Sequence, residues 1–311
     1  MAKLKAADIA AVKAQGFLLN RGTELFSGRI VAPGTVFSAE DFKNMGELAA
    51  RFGNGKLICT SRLAVEIPGI PFEKIPEARQ FAADHGMRFG GTGGKVRPVT
   101  ACKGTTCVYG NYDTQELARK IHEDYYLGWD QVKLPHKFKI AVGGCPNNCV
   151  KPDLNDLGVV GQRVPMIDYA KCRGCKVCQV EKNCPIKVAH MEDGKIHIDP
   201  NACNNCGRCK GKCPFGALEE YQEGYKILIG GRWGKKVAHG IPLTRIFTSE
   251  DEVMDVIEKA ILLFRDEGIS GERFADTVAR LGFDYVNEKL LGDSIDKEAV
   301  LKKTVKGGAT C

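Results

Sequence analysis

Apolar and polar positions alternate along this chain in two periods, one helical and one extended. In SAEDFKNMGELAARF, hydrophobic residues return every three or four places behind Ser38, with acidic residues in the first turn, which predicts a helix opening at Ser38. GRIVAP and KLICTSR have the dense apolar texture of strands. FEKIPEARQFAADHG reads as a second amphipathic helix, stopped at Gly86. Beyond a glycine-rich stretch, GGTGGKVRP, a helix is expected from about Thr114 to Tyr126, and HKFKIAVGG forms a strand. Between about Tyr169 and Tyr221 the texture changes to cysteines, two Cys-Pro dipeptides and an internal near-repeat. YKILIGGRWGKKVAHGIPL then resumes the strands and turns. EDEVMDVIEKAILLFRDEG and ERFADTVARLGF predict two further amphipathic helices, and a polar tail is expected to fray after about Gly292. The fold class is α+β.

Composition narrows the class. The chain has 311 residues, 43% hydrophobic and 27% charged, enough for a folded core and two domains and unlike a disordered or fibrous protein. No uncharged apolar run approaches the ~20 residues of a membrane span. The opening MAKLKAADIAAVKAQ is too polar for a secretory signal, so a cytoplasmic location is expected. A formal charge of +7 raises the question of nucleic acid or an anionic membrane, but no basic helix or aromatic-spaced basic stripe accompanies it. The glycine-rich stretch matches neither phosphate-loop nor dinucleotide spacing.

Cysteine usage changes the picture most. Of fourteen cysteines, twelve fall between Cys102 and Cys213, and in a reducing compartment they point to metal or redox chemistry rather than disulfides. Cys59 and Cys311 lie outside and read as a small buried hydrophobe and a tail residue. Cys203, Cys206, Cys209 and Cys213-Pro214 form a full C-x2-C-x2-C-x3-C-P. Cys172, Cys175, Cys178 and Cys184-Pro185 form a variant whose last spacing is five residues. Structural zinc favours two separated pairs over consecutive C-x2-C-x2-C. This segment resembles bacterial two-cluster ferredoxins, in which the fourth cysteine of each run ligates the other cluster. Cys172, Cys175, Cys178 and Cys213 are thus assigned to one [4Fe-4S] cluster, and Cys203, Cys206, Cys209 and Cys184 to another. Bound clusters would also draw the net charge toward neutrality.

Four cysteines remain, Cys102 and Cys107 in TACKGTTC and Cys145 and Cys149 in GGCPNNC. On their own they suit a third cubane or a zinc site equally. Their surroundings resemble the sulfite and nitrite reductase family, which couples siroheme to a [4Fe-4S] cluster, and within it the small ferredoxin-containing type found in anaerobic sulfite reductase. GGCPNNC has the family's C-x3-C form, and by this resemblance Cys149 bridges the cluster to the siroheme iron. The first pair departs from the family, being C-x4-C instead of the commoner C-x5-C. ICTSRLAVEIPGI resembles the Thr-x-Arg strand, placing Arg62 over the siroheme face. LPHKFK resembles the paired-lysine motif, giving Lys137 and Lys139. GRIVAPG resembles an Arg-containing turn, giving Arg29, with Ser27 where some members carry a second arginine.

On a strand, Lys137 and Lys139 flank Phe138 and share one face, and two or three fixed cations there bind an oxyanion and donate protons as its oxygens leave. A solvated Lys-x-Lys strand face is the plainer reading of that motif alone. Arg97 and Arg232 are the arginines chosen for siroheme carboxylates. His136 is a conceivable proton relay and is left unassigned.

The resemblance implies an N-terminal ferredoxin-like α+β domain over residues 1–90, a siroheme and [4Fe-4S] domain over 91–168 and 222–311, and an inserted two-cluster ferredoxin domain over 169–221. It further implies six-electron reduction of sulfite to sulfide with one siroheme and three [4Fe-4S] clusters, and an anaerobic setting. Ammonium-forming nitrite reduction, or an electron-transfer subunit without siroheme, are the alternatives. With no flavin or nicotinamide fingerprint, an external donor such as a ferredoxin or a reductase subunit is required. A single siroheme unit implies a second copy or another subunit as partner.

Overall fold

Residues 4–292 are described in a computed structural model of the chain. The polar tail beyond Gly292, with Cys311, lies outside the described residues.

After helix α1 (Ala6–Ala14), strands β1 (Phe17–Leu19), β2 (Leu25–Val31), β3 (Ile58–Cys59), β4 (Val65–Pro71) and β5 (Arg88–Phe89) build an antiparallel sheet in the order β1-β2-β4-β3, with β5 also pairing β2. Helices α2 (Ala39–Phe52) and α3 (Ile75–Asp84) cover it. The Ser38 start is borne out as a reciprocal cap: its hydroxyl accepts from Asp41 N–H while the Asp41 carboxylate accepts from Ser38 N–H. Met45, Leu48 and Ala49 then fall on one buried face against Phe26, Ile67 and Ile70. The strand expected over KLICTSR shrinks to β3, because the chain turns at residues 60–63 with Leu63 at φ 57°.

The second sheet runs β12-β11-β8-β7-β6 through β6 (Thr100–Ala101), β7 (Ile140–Gly143), β8 (Leu157–Pro165), β11 (Tyr221–Ile229) and β12 (Ile241–Pro242). β6, β7 and β8 are parallel, while β8, β11 and β12 are antiparallel. Helix α4 (Thr114–Ile121) continues as a widened turn at residues 122–127. α6 (Glu250–Glu267), α7 (Phe274–Leu281) and α8 (Phe283–Leu291) join it around a core of Phe138, Phe264 and Phe274. Of these, α8 was not foreseen. The strand expected over HKFKIAVGG is shorter than its sequence suggests. Only β7 is a continuous strand, and Phe138 joins by an isolated bridge to Val96.

Pro165 at the end of β8 lies opposite Tyr221 at the start of β11. Residues 166–220 therefore leave and re-enter the second sheet at one end of a single strand pair. They hold a short helix, α5 (Gln179–Asn183), the hairpin β9 (Ala189–Glu192) and β10 (Lys195–Ile198), and their own small core of Val180, Ala189, Ile196, Ala217 and Leu218 with Cys172 and Cys184. No helix among the described residues is long and apolar enough to cross a membrane.

Candidate functional site

A cavity of about 400 Å3 opens where the first sheet meets the segments leading into the second. Its lining carries six cations, Lys13, Arg29, Arg62, Arg97, Lys137 and Lys139, and no carboxylate. Five of the six were expected from sequence; Lys13, in the last turn of α1, was not. Phe138 is fully buried against Phe264 and Phe274, so its two lysine neighbours are turned together into the cavity. A second cavity of about 470 Å3 shares Gly91 and adds Arg79, Arg88 and Lys95 beside Asp130 and Tyr126. Gly91 sits at φ 77°, and a Cβ there would stand 3.2 Å from Arg29 Cδ. Glycine's freedom thus allows its carbonyl to accept from both Arg29 and Arg97 between the two cavities.

The cations are held at fixed points. Arg62 donates to Asn155 Oδ1 at 2.7 Å and to the Pro98 carbonyl at 2.8 Å. Burial, with Arg97, Arg273 and Arg29 nearby and Asp156 opposing, lowers its pKa to about 10. Arg29 pairs with Glu66 at 2.6 Å. The Lys139 ammonium is brought down to about 8, first by burial and then by Arg62, Arg273 and Lys137, with Asp156 opposing. His136 is lowered to about 4, by burial and then by the cations around it, so the imidazole is neutral at pH 7. Its Nδ1 lies 2.7 Å from the Lys137 backbone N–H, and accepting that bond leaves the ring proton on Nε2.

Beneath the lysines sits a pair that sequence reasoning missed. Asp156 is fully buried, accepts from Arg273 Nη2 at 2.9 and 2.7 Å, and accepts from the Lys139 backbone N–H at 2.8 Å. Burial pushes its carboxyl up, and Arg273 and that N–H oppose the shift. These partners lie 117 and 17 residues away from Asp156, so no local pattern announces them. Arg232, chosen for carboxylate binding, does not line either cavity. Its Nη1 donates to both carboxylate oxygens of Asp276, at 2.8 and 3.0 Å, and its backbone pairs with Ala238.

Cys102 and Cys107 follow β6, and Cys145 and Cys149 follow β7. Because these strands are parallel neighbours, with Ala101 opposite Val142, both loops emerge at the same end of the sheet. The Cys145 thiol is pushed up by burial and by Cys102, Cys149 and Cys107, placing the four in one electrostatic neighbourhood. Gly144 N–H donates to Cys102 Sγ at 3.2 Å. Asn148 and Lys151 take φ of 58° and 50° to wrap the second loop, and Asn148 donates to Asp153 at 2.6 Å. Asn155, which receives Arg62, also donates to the Lys151 carbonyl at 2.9 Å, so this loop and the cationic cavity share one brace.

In residues 166–220, one small cavity is lined by Cys184, Cys203, Cys206 and Cys209, and another by Cys172, Cys175, Cys178 and Cys213. These are the crossed sets expected from the ferredoxin resemblance. Four thiols around one space is a donor set suited to a cubane and, with no histidine in either lining, unlike mixed zinc sites. Burial acts to raise Cys184, but backbone N–H groups of residues 186–189 outweigh it and hold the thiol below its ordinary range. The first of these sets lies against the second sheet. Arg163 of β8 bridges to Cys206, its N–H donates to the Asn205 carbonyl at 2.8 Å, and Arg208 covers the Tyr109 ring at 4.5 Å.

Comparison with known proteins agrees with this architecture. Residues 92–297 match the profile described as the nitrite and sulphite reductase 4Fe-4S domain, and residues 19–84 match the nitrite/sulfite reductase ferredoxin-like half domain. The chain belongs to the nitrite and sulphite reductase family. It is 32% identical over 261 residues to the coenzyme F420-dependent sulfite reductase of Methanocaldococcus jannaschii, covering 83% of this chain and 41% of that protein. The chain thus spans about two fifths of that relative's length. It is 26% identical over 311 residues to a subunit of the anaerobic sulfite reductase of Salmonella typhimurium, covering 92% of this chain and 88% of that polypeptide. In fold it resembles the crystal structure of dissimilatory sulfite reductase I, with a TM-score of 0.70 at 24% identity over 87% of this chain and 70% of that one. The expectation of a sulfite and nitrite reductase fold with a ferredoxin-like half domain is borne out.

Proposed function

We propose that this chain reduces sulfite to sulfide at a siroheme coupled to a [4Fe-4S] cluster, fed by two further [4Fe-4S] clusters in an inserted ferredoxin domain. The observation that carries the reading is the cavity with six cations and no carboxylate, braced to the Cys149 loop through Asn155. That charge suits both a small dianion and a polycarboxylate tetrapyrrole. In this reading Cys102, Cys107, Cys145 and Cys149 hold the coupled cluster, with Cys149 toward the siroheme iron, and Arg97 and Arg29 serve the carboxylates. When bound, the siroheme and its cluster supply a ligation site for sulfur and deliver electrons to it.

The chain's own residues account for the rest. Arg62, tied to Asn155 and Pro98, is a fixed cation that orients the anion without moving. Lys137 and Lys139 stabilise charge on the sulfite oxygens, and Lys139, with a pKa of about 8, donates protons readily near neutrality. In the balanced reaction, six electrons and seven protons convert sulfite to hydrosulfide and three waters. The proximity of the Cys184, Cys203, Cys206 and Cys209 set to β8 and Tyr109 supports it as the inner relay, with the Cys172 set outermost. Beside that outer set, Val177 is 65% exposed and Phe215 42%, with Arg173 over the Phe215 ring. An external one-electron donor meets the chain there.

The test is anaerobic turnover of protein assembled with its cofactors, using reduced methyl viologen and either sulfite or nitrite. Six viologens oxidised per sulfide formed supports the proposal. Turnover of nitrite to ammonium without sulfide from sulfite assigns the other anion, and no turnover of either favours an electron-transfer subunit.

A further inference from the structure

The hairpin β9–β10 carries a group of side chains that the sulfite chemistry does not use. His190 and His197 are directly opposite in the antiparallel register, and Glu192 lies two residues beyond His190 on the same face. Their inward neighbours Ala189 and Ile196 are buried in the small core, so alternation turns the three outward. The imidazole rings lie 5.0 Å apart between centroids, and His190 Nε2 is 3.6 Å from Glu192 Oε2. One ligand atom from each residue falls within 4.8 Å of the others. Lys195, which pairs with Glu192 across the hairpin, sends its ammonium instead to the carbonyls of Tyr169 and Cys172, at 2.9 and 2.7 Å. The carboxylate is thereby left to the two imidazoles.

We propose that His190, Glu192 and His197 form a divalent transition-metal site of the zinc class on the outer face of this hairpin. Two imidazoles and a carboxylate are the ligands zinc, nickel and cobalt share, with water filling the remaining positions. Bonds of about 2.0–2.2 Å place tetrahedral donors roughly 3.3–3.5 Å apart, so side-chain rotation alone closes the observed spread. The consequence lies on the other side of the hairpin. Ile196, between Lys195 and His197, donates its N–H to Cys172 Sγ at 3.3 Å. A metal clamping His190 to His197 therefore holds the backbone that bonds an outer-cluster thiolate.

Zinc chloride titrated calorimetrically into anaerobic protein carrying its iron-sulfur clusters tests this. One zinc per chain with a dissociation constant in the micromolar range is expected. Affinity should fall at least tenfold in each of His190→Ala, His197→Ala and Glu192→Gln. These side chains face outward, so the cluster absorption of each variant should match wild type. Zinc should also slow amide exchange across residues 189–198 in wild type and not in His197→Ala. No binding up to millimolar zinc would overturn the proposal and leave an exposed histidine-glutamate pair. Binding unchanged in the His190→Ala/His197→Ala double variant would overturn it too, locating the metal elsewhere.

Discussion

Replacing Lys139 by Met should move activity and stability in opposite directions. In the folded chain the ammonium is brought from 10.5 to about 8 because it is desolvated beside Arg62, Arg273 and Lys137. At about 1.4 kcal/mol per unit this corresponds to roughly 3 kcal/mol of unfavourable burial at pH 7. Partial solvent screening reduces it to about 1–2 kcal/mol. The sign follows from proton counts: between about pH 8 and 10.5 the unfolded chain holds the extra proton, so stability rises with pH across that window. Below it both states are charged, and the folded state carries the full penalty. Methionine keeps much of the volume and removes the charge, so Lys139→Met should gain about 1–2 kcal/mol at pH 7, raising the unfolding midpoint by a few degrees. Turnover should fall by about 10²–10³, the usual result of removing a donor that stabilises developing charge. The assays are anaerobic thermal unfolding at pH 7 and at pH 11, where the gain should vanish, beside viologen-driven sulfite reduction. A variant that is less stable, or one with near-normal turnover, would refute the reasoning and return Lys137 and Lys139 to an ordinary solvated face.

Other expectations are narrower. Arg273→Ala should cost about 3–5 kcal/mol in unfolding experiments, because it strands the buried Asp156 carboxylate, while Arg280→Ala on the exposed end of α7 should cost no more than about 1 kcal/mol. Cys149→Ser should alter the electron paramagnetic signals of the coupled centre and leave those of the clusters in residues 166–220 intact, since the two cysteine groups sit on separate supports. Arg173→Glu/Lys176→Glu should raise the KM for an acidic ferredoxin donor by at least tenfold at low salt and leave viologen-driven turnover unchanged. Neither residue forms an ion pair among the described residues, and both lie beside Cys172 and Cys175.

Local chemistry made parts of this structure legible. The Ser38 cap, the Gly86 stop and the sidedness of Lys-Phe-Lys follow from rules acting within a turn or a strand. The crossed cysteine sets were legible through the resemblance to two-cluster ferredoxins: each C-x2-C-x2-C run is local, while the fourth thiol of each set comes from the other run. What was missed depends on distant partners. Arg232 reads like a carboxylate binder until Asp276 arrives from α7, and Asp156 and Arg273 are unremarkable until the sheet and helix bring them together. Lys13 joins the cavity only because α1 packs beside β1. Helix α8 was hidden because Phe283, Val286 and Leu290 follow so closely on Gly282 that they read as part of a tail.

The central claim is that twelve cysteines hold three cubanes beside one siroheme. Chemical analysis of anaerobically purified protein for iron, acid-labile sulfide and extractable tetrapyrrole measures it directly. The account predicts about thirteen irons, about twelve sulfides and about one siroheme per chain, from four irons in each cubane and one in the macrocycle. About eight irons with no tetrapyrrole would contradict it, leaving a two-cluster electron carrier on a reductase fold.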